Sequence, residues 1–182
     1  MKKNILICLV FSLYTNLITA QAYDGRHEGK FYLGYMSSKG LSGIDFQIDK
    51  GISDYFSSGF RFNYIFNYEF EKPQQIPGLN FEIENTKDSF KNKANFGVFL
   101  RFHFMEVFKL EDNIDPYVSL EATFKSLGAN IGCKYNFTDS FGVYAQYGIG
   151  FSNSVASFAS DESDFINLYG KNSYFVFGLT FF

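Results

Sequence analysis

Phe60-Arg61-Phe62-Asn63-Tyr64-Ile65-Phe66-Asn67-Tyr68-Glu69-Phe70 is the stretch that decides the fold. Successive side chains on a β-strand point to opposite faces. Phe60, Phe62, Tyr64, Phe66, Tyr68 and Phe70 therefore fall on one side, and Arg61, Asn63, Ile65, Asn67 and Glu69 on the other. One face is wholly aromatic and the other mostly polar. A helix, with its period of 3.6, would mix them.

The same period of two recurs on either side. In residues 44–49, Ile44, Phe46 and Ile48 oppose Asp45, Gln47 and Asp49; in 96–104, Arg101 and His103 share the face opposite Phe96, Val98, Leu100, Phe102 and Phe104. Residues 117–125 set Val118, Leu120, Ala122 and Phe124 against Ser119, Glu121, Thr123 and Lys125, and 129–137 set Ile131, Cys133, Tyr135 and Phe137 against Asn130, Lys134 and Asn136. Residues 31–36, 143–151 and 174–182 bring the expected count to about eight strands. Eight is the smallest even number found in bacterial outer-membrane barrels.

The connections give an independent check. In an up-and-down barrel, alternate connections share a rim. The two longest, residues 71–93 and 152–173, follow the third and seventh strands and so lie together. The opposite rim receives residues 50–54, 106–115 and the tight Thr138-Asp139-Ser140. Long connections on one rim and short turns on the other is the asymmetry of outer-membrane barrels.

Composition agrees. The chain is 46% hydrophobic and 21% aromatic, with 25 Phe and 13 Tyr but no Trp, yet its mean hydropathy is only −0.09. Arrangement, not bulk hydrophobicity, carries the signal. Beyond the first 20 residues no segment approaches the roughly 20 apolar residues of a membrane helix. A membrane-spanning form must then be a closed barrel, the other structure that satisfies every backbone group in lipid. Net charge −3 and a pI near 5.4 supply no basic footprint for nucleic acid.

Met1-Lys2-Lys3-Asn4, the apolar run 5–14 and the small residues near Thr19-Ala20-Gln21-Ala22 have the order of a secretory signal peptide. Residues 1–20 are expected to be removed, leaving a single barrel domain over 21–182; cleavage after Ala22 is the alternative. Cys8 lies inside the apolar run behind Ile7, which does not fit a lipobox. Cys133 is then the one cysteine of the mature chain, so no intramolecular disulfide can form.

Charge of both signs on the polar face decides which side meets lipid. A basic residue at mid-membrane costs about 2–4 kcal/mol on the lipid face, so the polar set is expected in the lumen: Asp45, Asp49, Arg61, Glu69, Arg101, His103, Glu121, Lys125, Lys134 and Gln146. An eight-stranded bore is just wide enough for side chains to fill, which argues against a diffusion pore.

The ending Phe175-Val176-Phe177-Gly178-Leu179-Thr180-Phe181-Phe182 and the glycine-bearing hairpin over 127–150, with Gly128, Gly132, Gly142, Gly148 and Gly150, resemble the small outer-membrane β-barrels of Bacteroidota, of the OmpX and OmpA type. The resemblance covers essentially all of 21–182. It implies a cell outer-membrane location, contact with outer-membrane lipid and lipopolysaccharide, and a C-terminal strand read by the barrel-assembly machinery; a monomer is expected. Phe182 departs from the family pattern in being out of phase with Phe175, Phe177, Leu179 and Phe181.

No catalytic, cofactor or metal site is expected. His103 with Glu121 and a nearby Ser would make a hydrolytic set, but His103 shares the lumen phase of Arg101. His27 precedes the first strand and is expected to be solvated. Asp161-Glu162-Ser163-Asp164 lacks the spacing of a calcium loop, and the mixed-sign stretch from Glu71 to Lys91 is expected to be a surface loop. The sequon at Asn136-Phe137-Thr138 is expected at a periplasmic turn. The leading reading is a non-enzymatic barrel with a structural or surface-interaction role. A lipid-modifying membrane enzyme and a soluble lipocalin-like carrier of an apolar ligand are the alternatives.

Overall fold

Alternation with a period of two gives each segment one apolar and one polar face, and the chain buries the polar one by curling the sheet shut. The computed structural model describes residues 22–66, 90–152 and 172–181. Eight strands run in chain order: β1 (Gly29–Ser38), β2 (Leu41–Gly51), β3 (Phe56–Ile65), β4 (Ala94–His103), β5 (Ile114–Thr123), β6 (Leu127–Thr138), β7 (Phe141–Ser152) and β8 (Ser173–Phe181). Each is antiparallel to its neighbours, and β8 pairs back on β1, so the sheet has no edge. The expected all-β, eight-stranded, up-and-down barrel is what forms. Residues 1–20, Glu69 and 161–164 lie outside the described residues.

The β1–β2 and β5–β6 turns and the connections after β3 and β7 share one rim, here called upper; the β2–β3, β4–β5 and β6–β7 connections form the lower rim. Lys39 and Gly40 make a two-residue upper turn with φ of 46° and 82°, the positive values that match the twist of the flanking strands. A one-turn helix α1 (Phe90–Lys93) leads into β4, and another, α2 (Met105–Phe108), follows it.

Sorting of charge across the wall is nearly complete. On the eight strands Lys30, Asp45, Asp49, Arg61, Arg101, Asp115, Glu121 and Lys134 are all buried in the lumen. Outside stand Phe60, Leu120, Ile131, Phe177 and other large apolar side chains, with Phe60 68% and Leu120 63% exposed. Lys125, expected in the lumen, belongs instead to the β5–β6 turn. Ser126 and Thr123 bond to each other there and end the strand at Thr123. From that turn the Lys125 ammonium donates to the Ala94 carbonyl on the upper rim.

Bulky inward rings are accommodated by inward glycines. Tyr117 is paired across the ladder with Gly132, Tyr174 with Gly148, Phe99 with Gly59 and Tyr144 with Gly178. A Cβ at Gly132 or Gly148 would meet the ring of Tyr117 or Tyr174. The glycines of the hairpin 127–150 thus empty space that the tyrosines occupy.

Candidate functional site

Polar side chains fill the lumen in three tiers. In the upper one, Arg61 on β3 donates from Nε to Asp45 Oδ1 on β2 at 2.7 Å and from Nη1 to Glu121 Oε2 on β5 and to the Tyr174 hydroxyl on β8. Tyr174 donates to Glu121 Oε1 at 2.7 Å, and Asn63 and Gln47 donate to Asp45 at 2.7 and 2.8 Å. Four strands are stitched through one guanidinium. Above it, a cavity of about 20 Å³ lined by Met36, Asn95, Ser126 and Tyr174 has room for one water-sized group.

In the middle tier Arg101 on β4 donates to Asp49 Oδ2 at 2.6 Å, Gln47 Oε1 at 2.7 Å and the Tyr32 hydroxyl at 3.1 Å. Its guanidinium carbon lies 4.1 Å from the ring centre of Tyr117, 4.6 Å from Phe99 and 5.1 Å from Tyr32. Planar, weakly hydrated arginine tolerates such an enclosure better than lysine. Gln146, also expected in the lumen, accepts from Tyr117 at 3.0 Å.

The lower tier brings together residues that the sequence alone does not associate. His103 Nε2 lies 2.7 Å from Ser57 Oγ, and His103 Nδ1 lies 2.6 Å from Asp115 Oδ2. Asp115 is also ion-paired with Lys134 at 3.0 Å. Glu121, the acid first considered for His103, belongs to the upper tier. Asp115, expected to close the β4–β5 connection, is instead a lumen residue of β5, which starts at Ile114.

Serine, histidine and aspartate stand here in the order of a hydrolytic triad, but the surroundings oppose that chemistry. Ser57 and Asp115 are 0% exposed and His103 is 1% exposed. The Ser57 backbone is paired on both sides, with Gly51 and Arg101, so it offers no oxyanion donor. The imidazole face is covered by Tyr23, whose ring stacks on it at 3.6 Å and 7°.

Tyr23 belongs to a plug formed by the polar segment ahead of β1, a part of the chain for which the sequence reading offers only a solvated His27. Its hydroxyl lies 2.6 and 2.7 Å from the Ser53 and Phe56 carbonyls, between which its one proton is shared, tying the plug to the β2–β3 turn. Burial pushes the phenol above its ordinary value, with Asp49 and Glu28 acting in the same sense, so it stays a donor. Ala22 is fully buried; its N–H donates to the Asp112 carbonyl and its own carbonyl accepts from Lys30, which also pairs with Glu28. His27 sits in a 3-10 turn of the same segment. Among the described residues no group of His, Cys, Asp and Glu is placed to hold a metal. The sequon, expected at a turn, lies instead on the last residues of β6, and its Asn136 is fully buried.

Sequence reasoning found Asp45, Asp49, Arg61, Arg101, His103, Glu121, Lys134 and Gln146 in the lumen. It missed Tyr23, Lys30, Tyr32, Ser57, Asp115, Tyr117, Tyr144 and Tyr174. For the three tyrosines Tyr117, Tyr144 and Tyr174 a signal was present: each shares the phase of a polar residue on its own strand, Ser119, Gln146 and Thr180.

Comparison with known proteins adds family and fold. A model described as "Family of unknown function (DUF6646)" matches residues 13–181, and the chain belongs to that family. No curated protein matches it. Among solved structures it is similar to the N-terminal β-barrel domain of Pseudomonas aeruginosa OprF, with 11% identity and a TM-score of 0.54 over 87% of this chain and 98% of that one. A structure from the de novo design of transmembrane β-barrels aligns with 10% identity and a TM-score of 0.53, covering 87% and 97%. The de novo designed TMB2.3 aligns with 13% identity and a TM-score of 0.50, covering 87% and 95%. At these identities the likeness is one of fold.

Proposed function

We propose that this member of a family of unknown function is a non-enzymatic barrel of the cell outer membrane, acting in envelope structure or in surface interaction through its upper-rim connections. The observation that carries the reading is the sorting of charge: eight charged strand residues point inward and an apolar wall points outward. A soluble protein seldom exposes contiguous apolar patches beyond a few hundred Å², and lipid is the solvent that removes the cost. A lipocalin-like carrier needs the opposite arrangement, an apolar lumen. Among the described residues, three tiers of charge and tyrosine give the lumen a polar lining instead.

Orientation follows the rims. Short turns and the N-terminal plug are assigned to the periplasmic side and the long connections to the outside, in keeping with the asymmetry of such barrels. Export is proposed to remove residues 1–20. Cleavage after Ala22 would discard a residue that is buried and hydrogen-bonded at both its backbone groups, so the mature chain is expected to begin at Gln21.

The test is purification with and without detergent. The reading requires detergent for solubility and a gel mobility that shifts on boiling in SDS. A folded monomer in plain buffer would overturn it. Enzymatic activity is tested separately: incubation with purified lipid A should leave its acyl chains intact, and deacylation lost on His103→Ala would revive the hydrolytic reading.

A further inference from the structure

Among the described residues, Lys50 is the one charged side chain on the outward face of the eight strands. It stands one residue from the lower end of β2, at the expected depth of lipid headgroups. That placement coincides with a second feature. A trough of about 780 Å³ crosses the outer wall from Lys50 to the upper ends of β6 and β7. Its floor is set by small outward residues, Ser58 on β3, Val98 on β4 and Ala122 on β5. Its sides are the taller Phe60, Leu120 and Phe151, each more than half exposed.

We infer that the trough is a binding site for one phospholipid of the lower leaflet, its phosphate held by Lys50 and the adjoining Ser58 hydroxyl and an acyl chain laid along the floor. The inference rests on the membrane reading above. A phospholipid has one charged end and an apolar remainder, which is the pattern of the trough: a cation at the lower mouth and, beyond it, an aliphatic, aromatic and glycine lining, with Glu121 also bordering it but its carboxylate bonded to Arg61 inside the lumen. Lys50 and Ser58 are directly paired across the β2–β3 ladder, so both reach the same headgroup. An outward lysine at a rim can extend its ammonium to the interface while its stem covers apolar surface.

A second copy of the chain is the competing occupant, and charge argues against it. Two copies inserted in the same sense are related by an axis along the membrane normal. With the axis at the trough, Lys50 would face Lys50 at one depth, and the projecting Phe60 and Leu120 ridges would meet their own copies before the floor was filled.

Native mass spectrometry of the detergent-solubilised full chain, titrated with palmitoyl-oleoyl phosphatidylglycerol, tests the site. The wild type should retain one lipid per monomer. Ala122→Phe, which fills the floor from an exposed position, should lower occupancy at least tenfold. Lys50→Gln should lower it several-fold, and Ala145→Phe, on the outer wall beyond the trough, should leave it unchanged. The boiling-dependent gel shift confirms that each variant is folded. Equal occupancy in Ala122→Phe and wild type would overturn the site while leaving the membrane reading intact. A dimer lost in Ala122→Phe would assign the trough to a second copy instead. A wild type that stays monomeric and soluble once detergent is removed would defeat the membrane reading, and the site with it.

Discussion

The two ends of the lumen are built from similar chemistry but closed differently. At the lower end the chain folds its own N-terminal segment under the barrel: Tyr23 covers His103, and Lys30 and Lys134 are paired with Glu28 and Asp115. At the upper end Arg61 ties Asp45, Glu121 and Tyr174 together beneath a water-sized cavity lined, among the described residues, by Met36, Asn95 and Ser126. A polar lumen is therefore no evidence of a pore. What matters is whether the charges are already satisfied by one another, and here four cationic and four anionic strand residues balance.

Removing one member of a buried pair is the strongest way to break that balance. Arg101→Ala should strand Asp49 among aromatic rings and cost about 3–5 kcal/mol, read as a lower urea midpoint in lipid vesicles. Glu121→Ala should cost a similar amount by taking from Arg61 one of the two carboxylates that, among the described residues, pair with it. Midpoints unchanged in both would mean that these residues face bulk water and that the lumen is open. Planar-bilayer recording sharpens the point, since a filled bore predicts no large, stable conductance in the wild type.

A smaller effect is expected from the glycine pairs. Gly132→Ala drives a methyl into the Tyr117 ring and should destabilise by about 1–3 kcal/mol, the usual range for overpacking. The double variant Gly132→Ala, Tyr117→Ala should recover part of the loss if the contact is direct. Additive losses would place the strain elsewhere.

Tyr23→Ala separates the two ends. It removes a ring stack worth about 0.5–1.5 kcal/mol and the phenol bonds to the β2–β3 turn. Hydrogen exchange should quicken at the lower rim and stay slow around Arg61. Equal quickening at both ends would show one cooperative unit rather than a separable plug. Shortening residues 73–88 or 155–168 should change stability least of all, while abolishing any surface binding; loss of folding would make those connections structural.

Much of this was legible in the chain and part was not, for identifiable reasons. Period two assigns a face to every strand residue, so the inward phase of Arg61, Arg101 and His103 followed from 60–70 and 96–104 alone. Phase does not say which inward residues meet. Ser57 and His103 lie 46 positions apart and touch only because β3 and β4 are registered as they are. Asp115 follows the polar Glu111-Asp112-Asn113 and reads as connection, while Pro116 beside it hides the start of β5. Tyrosines mislead because the ring reads as lipid-facing, whereas the hydroxyl lets Tyr32, Tyr117 and Tyr174 serve as lumen donors. Tyr23, a lone aromatic in a polar segment, carries no period at all; only the closed barrel gives it a place to dock.

The most direct test of the central claim uses the native Cys133, which lies on the outer wall of β6 and is exposed. A fluorophore attached there, in barrels refolded into vesicles, should be quenched by lipids brominated along the acyl chain and be indifferent to aqueous iodide. Quenching by iodide with no effect of the brominated lipids would show that this wall meets water, and would contradict the membrane-spanning barrel.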